Sequence, residues 1–249
     1  MIAVKNIFFM LLSLIAIQAQ AQTLEANTAE LQLAIEKNDA ARVAFLFREK
    51  RLDPNFYLPN GDTPLVYAIR TDAMKTVNLV MLRHRGLNVK IPSLRGETPM
   101  MLAAIKGDVN LAQTLLHLGA DVNVNFGWTA LHYAAATGQK PMIDWLIKNG
   151  AEVNVVTERQ VTPLYMAARS VSLDAVDALL AAGADKTICN DQGICPAAVA
   201  KQRGSSLIAD RLAIEACKIE TEEAQIVDLT AFIKSLQEGE PSDAQNPAP

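Results

Sequence analysis

The chain has 249 residues, 50% of them hydrophobic, 20% charged and 5% aromatic. That is long enough for one sizeable domain or a repeat array, and too apolar for a disordered chain. A formal net charge of −4 gives no basic footprint for nucleic acid, and three cysteines leave at least one thiol unpaired within the chain.

The first stretch, MIAVKNIFFMLLSLIAIQAQAQ, carries Lys5, then an apolar run from Ile7 to Ile17, then Ala19-Gln20-Ala21 as a small-x-small cleavage site. The apolar run is too short to cross a bilayer, which takes about 20 residues. Residues 1–21 are therefore expected to be a signal peptide cut near Ala21, with no cysteine there to take a lipid anchor. The mature chain would begin at Gln22 in a periplasmic or secreted, disulfide-permissive location. No later segment is long and apolar enough to span a membrane.

Four segments then repeat: DTPLVYAI from Asp62, ETPMMLAAIKGD from Glu97, WTALHYAAATGQ from Trp128 and VTPLYMAARSVS from Val161. Their threonines, Thr63, Thr98, Thr129 and Thr162, are spaced 35, 31 and 33 apart. Each can cap a helix, and Pro64, Pro99 and Pro163 suit the first helical position. The pairs Ala103-Ala104, Ala134-Ala135 and Ala167-Ala168 let neighbouring helices approach closely. Leu115-Leu116 and Leu179-Leu180 give a second helix its apolar face, and Gly119, Gly150 and Gly183 suit the left-handed turn that ends it. The T-P-L or T-A-L-H start, the A-A pair and the G-A-D/E-V-N exit at a period near 33 resemble the ankyrin repeat.

That resemblance implies an all-α repeat fold. It would be a solenoid of about six helix-turn-helix units with β-hairpin fingers and a C-terminal capping helix, spanning residues 22–217. The units fall near 28–55, 61–92, 96–124, 127–156, 160–189 and 193–217. The first lacks the Thr-Pro start, as a capping repeat would, and no unit can bury its apolar face alone. From Glu215 onward the chain has eight acidic residues against Lys218 and Lys234. TEEAQIVDLTAFIKSL reads as an amphipathic capping helix over 218–237, with Ile226, Leu229, Ile233 and Leu236 on one stripe. The segment is also similar to the last helix of small c-type cytochromes, but the chain has no C-x-x-C-H for haem attachment. Residues 238–249 read as a polar, disordered tail.

Candidate chemistry is sparse. His132 sits where ankyrin repeats hold a structural histidine, and His84 and His117 lie near the ends of second helices. No H-E-x-x-H, C-x-x-C, phosphate loop or G-x-S-x-G is present, so neither a catalytic nor a metal site is expected, nor any cofactor. In the repeat register Cys189 lies in a finger and Cys195 replaces a capping threonine. Cys195–Cys217 is the leading disulfide, closing a loop worth about 3 kcal/mol. Cys189–Cys217 comes next and Cys189–Cys195 last, while three free thiols remain an alternative.

The resemblance implies protein binding through finger tips and the exposed side of first helices. Carried over, these positions hold Asp62, Arg70, Leu94, Arg95, Glu97 and Lys106, then Asn125, Phe126, Trp128, Glu158, Arg159 and Arg169. The third finger is shortened and aromatic, and aromatic tips make binding anchors. The surplus of basic residues would favour an acidic partner protein, or the chain's own acidic tail. The sequence therefore reads as an exported, monomeric, non-enzymatic binding scaffold. Exported bacterial members of the family include helpers in oxidative-stress defence and immunity proteins that occlude a secreted toxin or lipase. A redox-active cysteine protein is the remaining alternative.

Overall fold

The computed structural model describes residues 2–79, 82, 84–124 and 127–213. Asn125, Phe126, Cys217, the capping helix expected over 218–237 and the tail at 238–249 lie outside the described residues. Twelve helices follow one another among those described: α1 (Ile2–Glu36), α2 (Ala40–Arg48), α3 (Pro64–Arg70), α4 (Met74–Leu79), α5 (Pro99–Lys106) and α6 (Val109–His117). Then come α7 (Ala130–Ala136), α8 (Lys140–Lys148), α9 (Pro163–Arg169), α10 (Leu173–Ala181), α11 (Pro196–Gln202) and α12 (Ser206–Leu212). Consecutive helices pack as pairs, and the odd-numbered helices pack on one another along the stack from α1 to α11. This is an all-helical repeat with one continuous apolar core.

The first helices begin where their caps dictate. The Thr63, Thr98 and Thr162 hydroxyls accept from the backbone N–H of Val66, Met101 and Tyr165 at 3.3, 3.2 and 3.1 Å. Second helices use caps of their own, Asp39, Asp108, Ser172 and Ser205, each accepting from the N–H three residues on. Gly119, Gly150 and Gly183 have φ of 91°, 88° and 86°, the left-handed turn that stops the second helix.

α7 is capped differently. His132 is fully buried, and its Nε2 donates to the Val161 carbonyl at 2.9 Å, which puts the proton on that nitrogen. Its Nδ1 is then an acceptor for both the N–H (3.2 Å) and the hydroxyl (2.9 Å) of Thr129. One imidazole thereby closes its own helix start and ties it to the next finger.

The expectation of β-hairpin fingers is corrected: no strand or bridge occurs among the described residues. Four fingers are tight turns closed by one N–H donated to the carbonyl four residues on. The pairs are Leu58 to Asp62, Ser93 to Glu97, Thr157 to Val161 and Asn190 to Ile194. The C-terminal arm cannot extend the ladder, because the very next residue is the helix cap. Neighbouring fingers join through single bonds, Leu94 N–H to the Gly61 carbonyl (2.8 Å) and Asp191 N–H to the Arg159 carbonyl (3.0 Å).

The opposite edge is tied by asparagines. Asn123 donates its amide to the Gly150 carbonyl (2.8 Å) and accepts from Glu152 N–H (2.9 Å). Asn154 does the same with Gly183 and Asp185, and Asn55 with Gly86 and Asn88. The asparagine of the G-A-D/E-V-N exit is thus an inter-unit clamp.

α1 runs unbroken through Ala21, the expected cleavage point, and its side chains from 14 to 26 are exposed. Among its described side chains, Leu31, Ala34 and Ile35 join the core. Among the described residues no helix is long and apolar enough to cross a membrane.

Two measurements test this scaffold. Asn123→Ala should lower unfolding stability in urea by about 1–2 kcal/mol, since two inter-unit hydrogen bonds go; an unchanged midpoint would reject the clamp. Burial pushes the His132 pKa down from 6.5 to about 4, against the opposing pull of its bond to Val161. The unfolded chain therefore takes the proton first, so stability is full above pH 6.5 and is lost as pH falls towards 4. The total loss should be about 3 kcal/mol, and His132→Gln should flatten urea stability across that window while the parent falls.

Candidate functional site

The fingers and the exposed ends of first helices border a groove of about 640 Å³ over α9 and α11, closed on one side by Gly127 and Trp128 ahead of α7. Trp128, Tyr165 and Met166 supply apolar surface, and Arg159, Arg169 and Arg203 supply charge. Trp128 is only partly exposed. Its ring stands edge-on to His132 (centroids 5.4 Å apart) and tilted on Tyr133 (5.7 Å), so the buried cap holds the indole in place. The aromatic anchor expected at a finger tip thus sits at the base of the finger, facing the groove.

The predicted positions divide into two groups. Asp62, Arg70 and Glu97 are engaged with one another: Arg70 donates to both Asp62 carboxylate oxygens (3.0 and 3.2 Å) and to Glu97 (2.7 Å). Asp62 has 0% of its surface exposed, so its carboxylate is not offered at a tip. Burial opposes the Arg70 charge, but the bonds to Asp62 and Glu97 outweigh it and raise the guanidinium pKa above its ordinary value. The same Glu97 acts on Tyr133, whose phenol is raised first by burial and then by that carboxylate. Lys106 is likewise spoken for, 3.0 Å from Asp72.

The second group is accessible. Leu94 is 72% exposed on its finger, beside an exposed Arg95. Glu158 and Arg159 are exposed, and Arg159 reaches Asp191 on the next finger at 3.2 Å. Arg169 ends α9 exposed and makes no ion pair among the described residues. Arg203 does the same after α11, and sequence reasoning missed it. The register that sets Cys195 against Thr162 puts Gln202 at the Arg169 position, so Arg203 lies one residue beyond the carried-over site.

The disulfide expectation is corrected. Cys195 is bonded to Cys189, the pairing ranked last from sequence, with Cα atoms 3.9 Å apart. The reason is the finger turn: the bond from Asn190 N–H to the Ile194 carbonyl places the residues just outside it, 189 and 195, face to face. The bond joins the finger carrying Asn190, Asp191 and Ile194 to the start of α11, and both border the groove. Among the described residues no three His, Cys, Asp or Glu side chains converge as a metal site would require. His117 bonds the Gln113 carbonyl of its own helix, and the His84 ring packs edge-on against Phe47 at 5.5 Å.

Alkylating the denatured, unreduced protein should therefore modify one cysteine, Cys217, and all three after reduction. Three reactive thiols before reduction would reject the Cys189–Cys195 bond.

Comparison with known proteins agrees with this geometry. A family model described as ankyrin repeats (3 copies) matches residues 31–126 and 124–190. The human neurogenic locus notch homolog protein 1 is 33% identical over 150 residues, which is 59% of this chain and 6% of that protein. Its Xenopus tropicalis counterpart is 33% identical over 135 residues, 51% of this chain and 5% of the other. The Danio rerio protein is 32% identical over 134 residues, again 51% of this chain, and 6% of its own length. The match is thus confined to a small part of those large proteins. With the threonine caps, alanine pairs and asparagine clamps recurring through the stack, this chain belongs to the ankyrin-repeat family.

Proposed function

We propose that this chain is an exported, monomeric scaffold that captures a partner protein through its finger tips and concave groove, and that the partner presents an acidic surface. Ankyrin repeats generally mediate protein–protein interaction, and the family is typically a non-enzymatic scaffold. The observation that carries the reading is the groove itself. Arg169 and Arg203 are exposed there without ion pairs among the described residues, beside the partly exposed Trp128 and above the buried Tyr165. An aromatic anchor flanked by unpaired guanidinium groups suits a surface carrying both a carboxylate and an apolar side chain.

Export is supported by the Lys5 and Ile7–Ile17 pattern with its Ala-x-Ala site, and by the exposed stretch 14–26 of α1 that joins no core. The Cys189–Cys195 bond fits an oxidising compartment. Within it, support of a peroxide-removing enzyme and occlusion of a secreted toxin are the two uses. The identity of the captured protein separates the two.

The test is affinity capture from the exported fraction, with the recovered protein identified and its binding then measured with purified components. Replacing Arg95, Arg159 and Arg169 together by Glu should weaken that binding at least about tenfold and reduce its salt dependence. Unchanged affinity would overturn the acidic-partner reading. The same preparation tests export: its first residue should be Gln22, and a retained Met1 would reject the leader.

A further inference from the structure

The groove has a candidate occupant in the chain itself. Arg169 and Arg203 flank a second recess of about 210 Å³ that shares Met166 with the main groove, and neither makes an ion pair among the described residues. The acids nearby do not neutralise them: Asp191 is taken by Arg159, and Glu158 stands on an exposed finger.

The described chain ends at Ala213, whose carbonyl accepts from Lys186 Nζ at 3.3 Å. Lys186 precedes Asn190 of the last finger by four residues, so the chain leaves the stack beside the finger that walls the groove. The segment beyond Ala213 carries opposite charge: Glu215, Glu220, Glu222, Glu223, Asp228, Glu238, Glu240 and Asp243 against two lysines. It also carries apolar residues at Ile226, Leu229, Ile233 and Leu236. Residues 214–221 alone could span roughly 25 Å when extended, enough to return over the finger before that stripe begins.

The end of the stack is the competing destination and offers less. Val199, Ala200, Ile208 and Leu212 of the last pair are buried, and its exposed side chains are largely polar, Lys201, Gln202 and Asp210, with Ala198 and Leu207 the apolar exceptions.

We infer that residues 214–249 fold back and occupy the groove between Trp128 and the Arg169–Arg203 pair, as an internal ligand that any outside acidic partner must displace. This rests on the reading of the groove as a binding surface and names its first occupant. Charge complementarity would hold the segment in register, and Trp128, Tyr165 and Met166 would take its apolar side chains.

The test uses the full chain and no partner, so its failure is distinct from failure to capture a protein. Trp145→Phe leaves Trp128 as the only tryptophan. Cys217→Ser with Ser235→Cys gives one free thiol for a nitroxide label, the other two cysteines being bonded. The label should quench Trp128 emission, independently of protein concentration, and high salt should relieve the quenching. Arg169→Glu with Arg203→Glu should abolish most of it with the thermal midpoint unchanged. Adding Glu222→Lys and Glu223→Lys in that background should restore it. Should the arginine variant fail to fold, the glutamate-to-lysine pair alone in the parent groove should give the same loss. Absent quenching, quenching indifferent to these reversals, or quenching that grows with concentration as a second copy's tail would produce, overturns the proposal.

Discussion

Ala103, Ala104, Ala134, Ala135, Ala167 and Ala168 are all at 0% exposure between neighbouring inner helices, and the stack depends on that close approach. A seven- or eight-residue helix such as α5 or α7 is too short to be stable alone. It exists because one face meets the helix before it and another the helix after it, with nothing larger than a methyl group between backbones. The pairs behind them, α6, α8 and α10, then cover the remaining side with Leu115, Leu146 and Leu179, each at 0% exposure. Stability is in this sense a property of neighbours rather than of units.

The polar groups obey that geometry. Bringing short helices together leaves many helix ends and loop amides near the interior, where an unpaired donor is costly. Threonine caps, the His132 bridge and the asparagine clamps satisfy these in a repeating pattern, each reaching its own unit or the next. The Asp62–Arg70–Glu97 triad does the same for the first fingers. It removes three charged side chains from the surface that a partner would meet, because Asp62 lies wholly inside and can be tolerated there only while Arg70 holds it. Arg169 and Arg203, which line the groove, make no ion pair among the described residues. The groove lies over the C-terminal repeats, and the disulfide finger forms one wall of it.

Much of the architecture was legible in the residues. Thr-Pro starts, Ala pairs and closing glycines recur because each serves a local constraint: a cap, a close contact, a left-handed turn. Local constraints are visible at short range in sequence. Arg203 was not legible, because carrying the register a further unit puts Gln202, not Arg203, at the Arg169 position. Nor was the cysteine pairing. Reasoning from helix ends favoured Cys195–Cys217, whereas the finger turn sets Cys189 opposite Cys195, a matter of hydrogen-bond register that spacing alone does not report. The fingers' lack of strand was hidden for a similar reason, since it depends on how soon the helix cap comes after the turn.

By itself, then, the sequence determined the repeat, the helix starts and stops, and the family, because each of these is written in residues within a few positions of one another. The tertiary structure decided which charges remain available. Arg70 and Arg169 occupy equivalent repeat positions, yet one is consumed by Asp62 and Glu97 and the other stands unpaired among the described residues. Whether a guanidinium is a strut or a contact depends on which carboxylate the neighbouring unit brings within hydrogen-bond reach, and only the packed stack sets that distance.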